Sequence, residues 1–402
     1  MDHTQTFRSL LSPAQLQYLS TTTPVYYTPR PSLVPWLPDY YFALAAPVIV
    51  YWVASLFFHV LDTSDWKWLD KYRLHDSAEM KARNLATRMQ VIRAVLFQHF
   101  VQTVAGIWWM EVSVAGADVD HVGAMEHLAR TLMFVARWTL GEKTSGRMLE
   151  TNGAEILYWL YWWAIPATKL LLGMFIIDTW QYFLHRGMHS HPYLYKKIHS
   201  VHHRLYVPYA FGALYNHPLE GFLLDSVGAG FAEAIVGLAV RETVILFSLS
   251  TLKTVDDHCG YNLPWDPLQI IFGNNADYHD IHHQSVGIKS NYSQPFFIHW
   301  DVLLVLRLEY HTFLTTISSP FPFAMQSQPT NATQAKDRHY MQLSHSLTRL
   351  SQSIGRTAEL CESLKLNLDA MRTLAATHAA QFMTVAAGLS ADPEQEGMDS
   401  AE

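Results

Sequence analysis

Three clusters of histidine lie between His185 and His283, and any fold open to this chain has to bring them to terms with one another. They read His185-Arg-Gly-Met-His189, His199-Ser-Val-His202-His203 and His279-Asp-Ile-His282-His283, so two share the pattern H-x-x-H-H and the first is H-x-x-x-H. On a helix the spacings i, i+3 and i+4 put side chains on one face, and neutral imidazole is a common nitrogen donor to iron, zinc and copper. Each cluster can therefore aim two or three nitrogens at one point. The chain has 22 histidines in 402 residues, and at that frequency the three patterns together are a roughly one-in-a-thousand accident. Metal binding is the expected role.

Two more histidines stand between the clusters in polar settings, His217 in Asn216-His217-Pro218-Leu219-Glu220 and His258 in Asp256-Asp257-His258-Cys259-Gly260. They bring the candidate ligands to ten: His185, His189, His199, His202, His203, His217, His258, His279, His282 and His283. A structural zinc is closed by about four ligands and a catalytic zinc by about three plus water, so ten fit two metals that keep a position open. With only two cysteines, Cys259 and Cys361, iron–sulfur and thiolate-zinc sites are excluded. No pair of Glu-x-x-His motifs of the soluble carboxylate bundles occurs either. The expectation is a histidine-rich di-iron centre, with no catalytic residue singled out beyond the ligands.

Composition adds the solvent. Half of the residues (50%) are hydrophobic and 13% aromatic, and apolar runs at Tyr40–Leu61, about 94–116 and about 156–184 are each long enough to cross a hydrocarbon core of roughly 30 Å. The mean hydropathy of only +0.02 reflects dilution by polar segments. A fourth apolar region, 221–255, is broken by Arg241-Glu242 and reads as a helical hairpin. No cleavable signal peptide is expected in residues 1–38, which lack an apolar core segment. The fold class expected is thus an all-α integral membrane protein, about three long transmembrane helices plus a helical hairpin under a cytosolic, histidine-rich helical cap. Its divisions are an irregular segment 1–39, membrane helices and loops 40–155, a catalytic domain 156–317 and a tail 318–402.

Orientation follows from basic residues. The connection between the first two spans carries Lys67, Lys71, Arg73, Lys81, Arg83, Arg88 and Arg93, which places it in the cytosol, and the loop 117–155 falls on the opposite side. The third span then delivers His185 and His189 to the cytosol, and the hairpin returns His258 and the last cluster to the same face. The charged segment 62–93 reads either as a surface helix anchored by Trp66 and Trp68 or as a solvated connector. Tyr206–Gly212 reads as an extended turn with its aromatics at the membrane–water boundary. Asn291 and Asn331 match the glycosylation pattern but should stay unmodified in the cytosol.

Four carboxylates invite a supporting role, since a metal-bound imidazole usually donates its other N–H to a carboxylate or carbonyl. Asp178 stands two helical turns before His185, and either orients a ligand or caps or pairs with Lys169. Asp256, Asp257 and Asp280 flank ligands directly and carry the same two readings. In the tail, Leu350, Ile354, Thr357, Cys361, Leu364, Leu368, Met371 and Ala375 recur at steps of four and three, compatible with a coiled-coil homo-oligomer, a docking amphipathic helix, or a marginal helix in a disordered tail. The net charge is −7, and no nucleic-acid partner is expected.

A histidine-held metal pair beside a bilayer points to oxidation of lipid by O2, because breaking an unactivated C–H bond lies beyond acid–base side chains. No Gly-x-Gly-x-x-Gly dinucleotide fingerprint and no His-Pro-Gly-Gly haem segment is present, so electrons have to come from separate partners. The three boxes, with His217-Pro-Leu-Glu220 and Asp257-His-Cys-Gly-Tyr261 between them, resemble the fatty acid hydroxylase superfamily of membrane di-iron enzymes. More narrowly, Lys197-Ile-His-Ser-Val-His-His-Arg-Leu-Tyr-Val-Pro-Tyr-Ala-Phe-Gly-Ala-Leu-Tyr215, Thr254-Val-Asp-Asp-His-Cys-Gly-Tyr261 and Asn274-Asn-Ala-Asp-Tyr-His-Asp-Ile-His-His-Gln284 resemble the sphinganine C4-monooxygenases of fungi and plants.

The likeness covers roughly residues 175–301. It implies hydroxylation of sphinganine or dihydroceramide at C4, with O2, and NADPH-derived electrons passed through cytochrome b5 and its reductase, at the endoplasmic reticulum membrane. Two other readings remain: a sterol C-4 methyl oxidase or other lipid hydroxylase or desaturase, and a membrane metal-binding protein without catalysis.

Overall fold

The computed structural model describes residues 10–27, 32–64, 66–113, 120–285, 287–304 and 306–307. The heptad-like seam, Cys361, Asn331 and the acidic C-terminus lie outside the described residues. The N-terminal segment departs from its expected irregularity, since Pro13–Thr21 forms a helix, α1. Ser12 caps it: its hydroxyl accepts from Gln15 N at 3.2 Å while the Gln15 amide oxygen accepts from Ser12 N at 2.8 Å, and Pro13 sits where the helix needs no N–H.

The first apolar run becomes α2 (Asp39–Thr63), 25 residues with Val53, Phe57 and Val60 exposed outward and Ala43, Tyr51 and Ala54 buried inward. The charged connector is two short helices, α3 (Lys67–Asp70) and α4 (Ser77–Arg83), rather than one. The second run is α5 (Arg88–Ser113). From residue 121 onward the expected loop 117–155 is helical instead. In α6 (His121–Leu140), Met125, Ala129, Met133 and Ala136 are buried, and in α7 (Glu142–Trp159) so are Leu149 and Leu157. Met125, Ala129, Met133, Leu149 and Leu157 close a separate small core with Leu11 and Leu19, and the first three form an apolar stripe at four-residue steps.

α7 runs on through a π-helical turn, Leu160–Ala164, into α8 (Ile165–Ser190), so the third run extends well beyond 156–184. Short α9 (Pro192–Lys197) leads into a 3₁₀ turn over His199–Arg204. The hairpin is present: α10 (Pro218–Gly221), a π-helical turn at Phe222–Val227 and α11 (Gly228–Val236) form one arm. Gly237, at φ 64°, turns the chain into α12 (Val240–Asp257), a backbone conformation that L side chains rarely adopt. α13 (Pro267–Ile271), α14 (Ala276–His283) and α15 (His299–Leu303) complete the order, and among the described residues pairing of the β type is limited to two isolated bridges.

Among the described residues three helical runs are long and apolar enough to cross a membrane: Asp39–Thr63, Arg88–Trp109 and the 49-residue Glu142–Ser190. Their directions follow from ion pairs. At one end Arg241 of α12 meets Asp39 of α2 at 2.7 Å and Lys169 of α8 meets Glu242 at 3.3 Å. α2, α8 and α12 therefore all start there and run the same way, while α5 and the arm α10–α11 return. With lipid tails as apolar as leucine, such helices associate through close packing of small residues. A Cβ on Gly173 would meet Leu246 at 2.7 Å, and one on Gly228 would meet Trp180 at 2.7 Å. The three histidine boxes and His258 gather at the opposite end. There the expected boundary turn Tyr206–Gly212 is packed inside, with Tyr209, Ala210 and Gly212 buried and the Tyr51 hydroxyl bonded to Phe211 O at 2.7 Å.

Candidate metal centre

Nine of the ten candidate histidines converge into two adjoining groups. Nitrogens of His185, His189, His199, His203 and His282 form one, and those of His202, His258, His279 and His283 the other, each set lying within 4.8 Å of one another. The end of α8 presents His185 and His189 one turn apart, and His258 caps the end of α12. The 3₁₀ turn sends His199 and His203 to the first group and His202 to the second, whereas α14 sends His282 to the first and His279 and His283 to the second. His217 joins neither. Its Nδ1 accepts from Leu219 N at 3.2 Å and so caps α10.

On six of the nine rings the outward nitrogen is tied down, while Nδ1 of His203 and of His279 is buried without a hydrogen-bond partner. Nδ1 of His185 donates to Tyr292 O at 2.8 Å, of His202 to Tyr215 O at 3.2 Å, of His258 to Thr254 O at 2.8 Å, of His282 to Ser290 O at 2.7 Å and of His283 to Leu205 O at 2.8 Å. A carbonyl can only accept, so the proton sits on Nδ1 and Nε2 keeps its lone pair. For His199 the acceptor is the buried carboxylate of Glu220, at 2.5 Å. Burial favours the neutral ring throughout, lowering His202 to about 4 and His258 and His282 to about 3.

These lone pairs face each other. Nε2 of His185 stands 3.0 Å from Nε2 of His199, and Nε2 of His202 stands 3.5 Å from that of His258. His202 and His258 each donate through Nδ1 to a backbone carbonyl, so their contact cannot be a hydrogen bond between the rings, and two acceptors at that range repel unless a cation lies between them. Nε2 of His282 is likewise buried without a hydrogen-bond partner. The residues therefore fit a metal ion in each group, through neutral imidazoles alone. Cys259, buried with its thiol pushed well up by burial, bonds locally around Tyr261 and takes no part.

The four expected supporting carboxylates are placed otherwise. Asp178 accepts from Phe296 N at 3.1 Å and Phe297 N at 2.5 Å, which pins the strand-like segment whose Tyr292 carbonyl receives His185, and Lys169 pairs with Glu242 instead. Asp256 accepts from Gln269, Asp257 from Lys253 and Asn274, and Asp280 from His75 Nε2 at 2.9 Å. Glu220, which does hold a ligand ring, was not singled out. An acid three residues after His217 and close in sequence to the second box is the signal that could have found it. The backbone acceptors have no side-chain signature at all.

A small polar hollow of about 30 Å³ adjoins the second group, lined by His202, His258 and His279 together with Gln181, Asn216 and Asp225. It shares Gln181, Leu214, Asp225, Thr254 and Pro295 with a larger and mostly apolar cavity of about 370 Å³ between α2, α5, α8, α11 and α12. That volume falls in the ordinary range of ligand sites, roughly 300–1,000 Å³.

Bilayer-length helices ending in two sets of convergent imidazoles define a membrane protein with a centre able to hold metal ions. Residues 170–305 match the family model described as fatty acid hydroxylase. The chain is 47% identical over 275 residues to sphingolipid C4-hydroxylase SUR2 of Saccharomyces cerevisiae, covering 68% of this chain and 74% of the yeast protein. It is 38% identical to sphinganine C4-monooxygenase 2 of Arabidopsis thaliana over 68% of this chain and 90% of the plant protein. Very-long-chain aldehyde decarbonylase GL1-9 of Oryza sativa is 40% identical over 69% of this chain and 94% of its own. The chain belongs to the fatty acid hydroxylase family, and like the relatives named as hydroxylase and monooxygenase it is an oxidoreductase. No solved structure matches it.

Proposed function

We propose that this protein hydroxylates sphinganine or dihydroceramide at C4, with O2 and a pair of irons held by His185, His189, His199, His203 and His282 on one side and His202, His258, His279 and His283 on the other. The observation that carries the reading is the opposed Nε2 lone pairs of His202 and His258, 3.5 Å apart, in a chain whose fungal and plant relatives bear the name of C4-hydroxylase or C4-monooxygenase. Bound metals would supply the O2 and electron chemistry that side chains lack. The chain's own part is to hold neutral rings in one tautomer, to keep water from a buried centre, and to fix which carbon faces it. NADPH-derived electrons reach it through cytochrome b5 and its reductase.

The centre faces the cytosol of the endoplasmic reticulum membrane in this reading. The basic connector carrying Lys71, Arg73 and Arg83 packs against the histidine end, with Leu74 N bonded to Gly260 O at 3.0 Å and Leu85 N to Arg204 O at 2.8 Å. A connector rich in Lys and Arg belongs on the cytosolic side, and the centre goes with it. The test is expression in a yeast strain lacking C4-hydroxylase, scored for trihydroxy sphingoid bases by mass spectrometry beside His202→Ala. The parent restores them and the variant does not; a parent that leaves the strain without them overturns the reading. The rice relative's name raises aldehyde decarbonylation as the rival, and alkanes formed in the same strain without trihydroxy bases would favour it.

A further inference from the structure

The cavity between the helices is apolar along most of its length, yet one carboxylate stands where it meets the hollow beside the second histidine group. Asp225 lies on the π-helical turn at Phe222–Val227, and such turns inside α-helices recur at functional sites. Its Oδ2 accepts from Gln102 Nε2 at 3.1 Å and its Oδ1 from Gln181 Nε2 at 3.3 Å. Both partners are neutral amides on helices of the bundle. A carboxylate has about four acceptor positions, so capacity remains toward the cavity. An acid at this depth among apolar helices is costly unless it meets a cation or a donor, and it is therefore a marker of binding.

We propose that Asp225, held in place by Gln102 and Gln181, receives the nitrogen-bearing end of the lipid and so sets the carbon that faces the histidine centre. The proposal rests on the C4 reading above. In a sphingoid base C4 is next but one to the carbon that carries nitrogen, so the polar head must lie close to the centre while the alkyl chain runs away from it. Asp225 and His202, His258 and His279 line the same hollow, and the apolar cavity leads off from the same carboxylate. The shared chemistry is an N–H donor, from the ammonium of a free base or the amide of a dihydroceramide.

The test is equilibrium binding to the detergent-solubilised full-length protein of sphinganine, a short-chain dihydroceramide and octadecane-1,3-diol, which lacks nitrogen. The parent should favour the nitrogen-bearing lipids over the diol by about 10–100-fold, the range expected of a hydrogen bond to a charged group. Asp225→Leu, which removes the acceptor altogether, should lose that preference while metal content stays at the parental level. Loss for sphinganine alone assigns the ammonium, and loss for both assigns the N–H. A preference that survives Asp225→Leu, or a parent without one, overturns the proposal. Should that variant not fold, Gln102→Ala carries the test, and an unchanged preference there is equally fatal. The two readings fail separately. A parent that makes no trihydroxy base but shows Asp225-dependent preference loses only the C4 assignment, whereas product formed without that dependence loses only this one.

Discussion

His203 and His283 face each other across the seam between the two imidazole groups, their ring centroids 4.9 Å apart, although each belongs to a different group. The cause is the weave of the two H-x-x-H-H boxes. In each, the first and last histidines, four residues apart, turn to one group and the middle one, three residues along, turns to the other. The two boxes do this in opposite senses and give three nitrogens to each group; His185 and His189 bring the first to five and His258 brings the second to four. A box thus cannot move without disturbing both.

The unequal groups predict unequal consequences of ligand loss. His258→Ala reduces the second group to three nitrogens and removes its link to α12, so metal content of the purified protein should fall toward about one ion per chain, a minimum of about four donors being usual for a closed site. His189→Ala leaves four nitrogens in the first group and should keep close to the parental content. Mass spectrometry of metal per chain decides it, and equal losses in both variants would contradict the assignment.

Glu220 should matter nearly as much as a ligand, because its carboxylate accepts from His199 Nδ1 at 2.5 Å in a fully buried setting. Removing the acceptor frees the ring to turn and to change tautomer. Glu220→Ala is expected to weaken metal binding by about 10–100-fold, and Glu220→Gln, which keeps an acceptor oxygen, by less. Competition with a chelator measures both; parental affinity in Glu220→Ala would refute the role.

Much of this was legible in the residues, and the rest fails to show for identifiable reasons. Histidine spacing marks the boxes because i, i+3 and i+4 are geometric neighbours, and Arg241-Glu242 marks the hairpin bend because charges avoid hydrocarbon. The stripe Met125, Ala129, Met133, Ala136 was there to be read as a helix but lay between two apolar runs and passed for a loop. Asp178, on the helix that carries His185, suggests a bond to an imidazole, whereas the fold spends it on two backbone N–H groups from Phe296 and Phe297, far off in sequence. Glu220 and the backbone acceptors depend on tertiary approach, for which one sequence holds no periodicity.

His75 ties the basic connector to the third box. Its Nε2 bonds Asp280 at 2.9 Å and its Nδ1 bonds Glu79 at 2.9 Å. Burial alone would lower its proton affinity, but the Asp280 and Glu79 carboxylates raise it to about 9. A group raised on folding stabilises fully below its unfolded value, near 6.5, and the contribution is lost as pH climbs through about 9. The parent should therefore melt at lower temperature at pH 9.5 than at pH 7 by a margin that shrinks in His75→Asn. Identical margins in the two proteins would dismiss the contribution.

Lys253 makes the sharpest case for energetic coupling between the centre and the bundle. It is fully buried on α12, five residues before His258, bonded to Asp257 and 3.8 Å from Asp256. Asp257 in turn accepts from Asn274 Nδ2 at 2.8 Å, just before α14 and its box begin. A buried pair adds little net stability, but removing one partner strands the other charge at a cost of about 3–5 kcal/mol. Lys253→Met should thus lower the melting temperature sharply and loosen metal held by His258 and His279. Lys253→Met with Asp257→Asn removes the stranded charge and keeps the contact to Asn274, so the double variant should recover much of the loss. If the double variant is no better than Lys253→Met alone, the damage lies in packing around the lysine stem and the ion pair is not what connects the two helices.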